Sequence, residues 1–161
     1  MAKGYLYYVT TEKTRNVCFN AAVYLDNVNV LGAEYLEDCD ENESEEPLKW
    51  LADFLGGMGA VIDRDDTGIF RFSFRFYNME SVQQDYFRPK LEKLKETVEK
   101  LTLSDVVQHT PELDSVLNDR YGDMIRLEDG RSDSFVTMDD FIRQLKSGVT
   151  CYVYKETILM G

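Results

Sequence analysis

Residues 69–77 read Ile69-Phe70-Arg71-Phe72-Ser73-Phe74-Arg75-Phe76-Tyr77. Side chains alternate across a β-strand with period two, so Phe70, Phe72, Phe74 and Phe76 share one face and Arg71, Ser73 and Arg75 the other. One face therefore meets a core and the other meets water, the pattern of an antiparallel sheet covered on one side. Immediately upstream, Asp65-Asp66-Thr67-Gly68 has the composition of a hairpin connection, and Ala60 to Asp63 supplies the other arm.

Upstream of the hairpin, Glu45 and Glu46 precede Pro47, and Leu48, Leu51, Phe54 and Leu55 follow at helical spacing until Gly56-Gly57. Acids and proline in a first turn, with glycine past the last apolar residue, predict a helix. Gly4 to Thr10 suits an opening strand, and Asn16 to Leu31 reads as two strands turning at Asp26-Asn27.

Downstream, a helical region spans about Met79 to Leu103, and Pro89 is expected to kink or divide it. Its residues Leu91, Leu94, Val98 and Leu101 fall at 3-4-3 spacing. They supply a short seam for a homo-oligomer, or, as preferred here, pack on the domain's own sheet. Thr110-Pro111-Glu112 opens a short helix that Gly122 closes, and Met124 to Glu128 reads as a strand. Thr137 and Asp140 resemble a capping box before a helix with Phe141, Ile142 and Leu145 inward, and Val149 to Lys155 is a last strand. Strands, helix, hairpin, helices and strand-helix-strand in this order predict one α+β domain over residues 1–161, its mainly antiparallel mixed sheet covered by helices on one face.

At 161 residues, with 43 % apolar and 12 % aromatic side chains, the chain is large and apolar enough to bury a core without staples. Cys18, Cys39 and Cys151 are an odd set without a CxxC, beside one histidine, His109. That points to a reducing, cytoplasmic setting and away from structural zinc, and no cofactor is expected. No leader-like stretch and no apolar run near the roughly 20 residues of a membrane span are present.

The formal net charge is −12, and eight acids without a base lie between Glu34 and Glu46, so that segment carries −8 and the rest −4. Such a balance disfavours direct nucleic-acid and membrane partners, which both need clustered Lys and Arg. It favours a basic protein surface. The segment reads as a solvated acidic loop or as a docking surface, in which Glu37, Asp38, Asp40, Glu41, Glu43, Glu45 and Glu46 steer a partner and Trp50 contributes an apolar anchor. In charge and size the chain is similar to small acidic inhibitors and immunity-type proteins that act on nucleic-acid enzymes.

Asp63-Arg64-Asp65-Asp66-Thr67, after the apolar run Gly59-Ala60-Val61-Ile62, resembles the DxDxT motif of the haloacid-dehalogenase-type phosphatases. The resemblance implies Asp63 as nucleophile, Asp65 as acid/base and Mg²⁺ as cofactor, on a doubly wound parallel sheet with a helix after the motif. The alternating Phe/Arg strand follows instead. The same residues match the first half of a calcium loop, whose twelfth position should be a glutamate and here is Phe74. A hairpin turn explains the residues without a metal. The expectation is therefore a non-catalytic protein-binding domain, with a Mg²⁺-dependent phosphatase as the alternative.

Overall fold

The computed structural model describes residues 2–11, 35–38, 45–65, 70–108, 123–128 and 133–160. The expected strands in Asn16 to Leu31, the helix after Thr110, and Cys18, Cys39 and His109 lie outside these residues. Among the described residues, seven strands form one sheet: β1 (Ala2–Thr10), β2 (Tyr35–Asp38), β3 (Val61–Arg64), β4 (Phe72–Arg75), β5 (Met124–Glu128), β6 (Asp133–Thr137) and β7 (Thr150–Met160). Their order is β3-β4-β7-β1-β5-β6, with β2 also on β7. The β1–β5 pair is parallel and the other pairs are antiparallel, which makes this the mainly antiparallel α+β sheet expected from the sequence.

Four helices, α1 (Glu45–Gly57), α2 (Met79–Lys100), α3 (Leu103–Gln108) and α4 (Met138–Gln144), complete the described chain. Alternation in β4 does what its sequence dictates: Phe70, Phe72, Phe74 and Phe76 are buried and Arg71 and Arg75 exposed. Phe72 and Phe74 stand opposite Val153 and Cys151 of β7, and Tyr7, Val9 and Ile125 continue the same apolar face. Leu51 and Leu55 of α1, Met79 of α2 and Phe141 and Ile142 of α4 close over it. Burying one such side chain contributes roughly 1.5–3 kcal/mol, so this face is the main source of stability.

β1 lies deepest. Leu6, Tyr7, Tyr8 and Val9 are all fully buried, so both faces of this strand are covered. On the side away from the helices, Tyr8 packs on Tyr154 with ring centroids 5.7 Å apart, and the Arg126 guanidinium lies 5.7 Å from the Tyr8 ring centre. Arg126 pairs with Glu128 at 3.5 Å, and the Tyr154 hydroxyl donates to Glu128 at 2.7 Å. Burial and the neighbouring Glu128 carboxylate push the Tyr154 phenol well above its ordinary value.

Three local expectations need correction, and one strand was not anticipated. The helix from Met79 runs through Pro89 to Lys100 as one element, so Pro89 does not divide it. Its anchored face is Val82, Tyr86 and Phe87, whereas Leu91 and Val98, expected to pack on the sheet, are 51 % and 58 % exposed. The acidic stretch is not one loop: Tyr35–Asp38 form β2 and Glu45 opens α1. A pairing edge explains this, because β4 occupies β7 only from Thr150 to Val153 and leaves Thr157–Met160 to β2. Finally, β6 arises from a segment with little apolar alternation, through pairing with β5.

Cys151 is 2 % exposed, and burial pushes its thiol up to about 12. At pH 8 the thiolate that reacts with alkylating agents is therefore scarce and enclosed. Iodoacetamide is expected to leave the Cys151 peptide unlabelled in the folded protein and to label it fully in denaturant, as read by peptide mass mapping. Stoichiometric labelling of Cys151 under native conditions would contradict this burial.

Candidate functional site

Helix α1 starts with Glu45 and Glu46 in its first turn, where carboxylates favour the positive end of the helix dipole. Pro47, Leu51 and Leu55 turn inward, and the Tyr7 hydroxyl donates to the Pro47 carbonyl at 3.1 Å, fixing the start of α1 over β1. Trp50 and Phe54 form a second flank, stacked at 5.1 Å, and Phe54 meets Tyr86 of α2 edge-on at 6.3 Å. Trp50 thus belongs to the seam between α1 and α2.

The third flank of α1 faces β3. The chain leaves the helix through a tight reversal in which Met58 and Ala60 both donate to the Leu55 carbonyl at 3.1 Å, and Gly59 to that of Gly56 at 3.0 Å. Gly59 adopts a φ of 99°, which a side chain would strain. Three residues therefore separate the helix end from β3, and the two elements enclose a groove of about 880 Å³.

Leu48, Ala52 and Gly56 line this groove from the helix at intervals of four, so they form one row along it. The row tapers from Leu to Ala to Gly toward the reversal. A Cβ on Gly56 would stand 3.8 Å from Ile62 Cγ1, an ordinary van der Waals contact. Ile62 and Phe72 make the apolar floor on the sheet side. Glu45, Lys49 and Asp53 form a charged rim on the helix, and Arg64 and Arg71 one on the sheet. Among the described residues, no carboxylate ion-pairs with either arginine.

A second cleft, of about 350 Å³, opens on the other face of β3 and β4. Asp63, Asp65, Ser73 and Arg75 line it, with Arg64 and Phe74 beside them. Arg75 Nε donates to Thr150 Oγ1 at 2.8 Å, and Asp65 Oδ2 accepts from the Phe70 amide at 2.7 Å. Asp65 thereby closes the connection between β3 and β4, as a turn aspartate does. Among the described residues β3 lies at the end of the strand order, antiparallel to β4, whereas the phosphatase resemblance implies a strand of a parallel sheet. Among the described residues, no three His, Cys, Asp or Glu side chains gather as a metal-binding group.

Of the acids expected to dock a partner, Glu45 and Glu46 are exposed on the first turn of α1. Glu37 and Asp38 lie on β2, opposite Ile158 and Thr157 of β7, while Asp40, Glu41 and Glu43 fall outside the described residues. The groove itself was missed in the sequence, although the spacing Leu48-Ala52-Gly56 was there to find. No helix among the described residues is long and apolar enough to cross a membrane. No family model, curated protein or solved structure matches this chain.

Proposed function

We propose that this protein is a non-catalytic binding domain that docks another protein along the outer flank of α1. The observation that carries this is the solvent-open groove, whose tapered apolar floor of Leu48, Ala52, Ile62 and Phe72 is bordered by charge. An apolar anchor within a charged rim is how protein surfaces combine affinity with selectivity. Glu45 lines the groove, Glu46 is exposed beside it, and the acid-rich chain from Glu34 leads into them. Long-range attraction thus favours a partner that is basic overall, such as the surface of a nucleic-acid enzyme, and the chain would act on it as an inhibitor or immunity-type protein in the cytoplasm.

The test fills the groove from its helix wall. Ala52 is half-buried, packs against the core and lines the groove, so Ala52→Trp is expected to weaken partner capture by about tenfold or more, the factor that 1.4 kcal/mol brings, in a variant whose cooperative unfolding transition is retained. The paired change Glu45→Gln with Glu46→Gln is expected to weaken capture less and to flatten its salt dependence. Quantitative mass spectrometry of host proteins retained by each variant, at low and moderate salt, reads both effects. A partner retained equally by wild type and Ala52→Trp would remove the groove from the interface.

A further inference from the structure

We propose that the cleft on the face of β3, β4 and β7 turned away from α1 binds a small zwitterion of the amino-acid class, with its ammonium on Asp63 and its carboxylate on Arg75. This goes beyond protein docking, since the cleft shares only Arg64 with the α1 groove and lies across the sheet from it.

Strand register builds the floor. Val61, Arg75 and Thr150 stand opposite one another across the three strands, and Asp63, Ser73 and Tyr152 form the next row on the same face. All six line the cleft. Adjacent strands lie roughly 4.8 Å apart and successive rows about 6.8 Å, so the floor is a patch of metabolite size. The cleft volume of about 350 Å³ agrees, being near the lower end of the roughly 300–1,000 Å³ found for small-molecule sites.

Charge placement names the ligand. Asp63 and Arg75 are diagonal neighbours of opposite sign, yet they do not pair with each other or, among the described residues, with any other charge. Arg75 is held the other way: its Nε donates to Thr150 Oγ1 at 2.8 Å and its Nη2 donates to the same oxygen, which draws the guanidinium toward β7 and away from β3. Nη1 is left for a further acceptor, and Ser73 supplies a hydroxyl between the two charges that can donate or accept. A simple anion at Arg75 is repelled by Asp63, and a simple cation at Asp63 is repelled by Arg75. A molecule with both charges a few bonds apart meets both groups with charge-assisted hydrogen bonds. Apolar surface at the Arg75 end comes from Val61 and Tyr77, which are 44 % and 68 % exposed, and Phe70 and Tyr152 stand at the Asp63 end with ring centroids 4.9 Å apart. The zwitterion therefore carries an apolar side chain that rests on Val61 and Tyr77.

The experiment titrates the full chain with the protein amino acids one at a time, and reads binding by calorimetry and the amide chemical shifts of Asp63, Ser73, Arg75 and Tyr152 by nuclear magnetic resonance. At least one amino acid with an apolar side chain is expected to bind saturably and to move these amides. Its carboxamide, which lacks the anion, and its N-acetyl derivative, which lacks the cation, should each bind about tenfold or more weakly, the factor that 1.4 kcal/mol brings. Asp63→Asn should erase the preference over the N-acetyl derivative, and Arg75→Gln the preference over the carboxamide. Both residues are exposed, so both variants should fold.

No saturable binding by any amino acid overturns the proposal, and so does a carboxamide or N-acetyl derivative that binds as well as its parent, because one of the two charges is then unread. Binding that leaves the four cleft amides unmoved places the ligand elsewhere and overturns it too. None of these results bears on docking along α1, which Ala52→Trp tests on the opposite face.

Discussion

Phe74→Ala is expected to lower the unfolding free energy by about 3–5 kcal/mol, a large part of the roughly 5–15 kcal/mol available to a domain of this kind. Phe74 is 1 % exposed at the centre of β4. Its ring meets Phe76 and Phe141 edge-on, each at 6.1 Å, and its neighbours across the sheet are Ile62 and Cys151. Truncation removes contacts to α4 and to both adjacent strands at once, and a close-packed interior cannot collapse fully into the gap. Arg71→Ala is the internal control: this side chain of the same aromatic run is exposed, and its loss is expected to cost about 0.5 kcal/mol or less. Urea unfolding followed by circular dichroism measures both. Equal costs would mean that the two faces of β4 are not divided as the structure shows.

That division was legible in the sequence because it is local. Period-two alternation in Ile69 to Tyr77 depends only on strand geometry, and the burial of Phe70, Phe72, Phe74 and Phe76 follows from it. Capping was legible for the same reason: the Thr137 hydroxyl accepts from the Asp140 amide at 3.2 Å at the start of α4. The helix from Met79 was visible, but its buried side was not. The Leu91-Leu94-Val98-Leu101 row has the better apolar spacing, yet α2 anchors through Val82, Tyr86 and Phe87, because Met79 is fixed at the edge of the core. The Met79 amide donates to Ser147 Oγ at 2.8 Å, and the Gly148 amide to the Phe76 carbonyl at 2.7 Å. Where a helix begins decides which of its faces meets the core, and that is set by residues almost 70 positions away.

The candidate site was less legible still, since a groove is a space between elements. Leu48, Ala52 and Gly56 look like ordinary helix residues until the reversal at Gly59 brings Ile62 against them. Arg71 reads as the solvent side of an alternating strand, yet with Arg64 it borders an apolar floor. Arg126 and Glu128 alternate within Met124 to Glu128 as a polar face should, and their burial against Tyr8 and Tyr154 comes only with the parallel pairing of β1 and β5. Charge surplus, by contrast, is a property of composition, so the acids around α1 were found without a fold.

Asp139→Asn is expected to cost about 2–3 kcal/mol, below the roughly 3–5 kcal/mol for breaking a fully enclosed pair, because Lys90 retains 21 % exposure. Asp139 opens α4, where its buried carboxylate receives the Lys90 ammonium and the Tyr86 hydroxyl, the latter at 2.8 Å. Gln83 donates to the Ile142 carbonyl at 3.0 Å, and the Arg143 guanidinium lies 4.7 Å from the Phe87 ring centre. Positions 83, 86, 87 and 90 thus share one face of α2 and clamp α4. Burial opposes the charge on Asp139, yet hydrogen bonds from Lys90 and Tyr86, with the charges of Lys90 and Arg143, outweigh it and hold the carboxyl below its ordinary 3.8. A lowered folded pKa adds stability above the ordinary value and loses it as pH falls through the folded one. The gap between wild type and Asp139→Asn should therefore be constant near neutrality and shrink as the pH drops below 3.8. Lys90→Met strands the carboxylate and should also destabilise, whereas Lys90→Met with Asp139→Asn should cost less than the two single changes together. Trp50, the single tryptophan, stacks on Phe54 beside Tyr86, so its fluorescence reports this clamp during unfolding. Strict additivity of the two substitutions, with a gap independent of pH, would show that Lys90 and Asp139 do not act on each other.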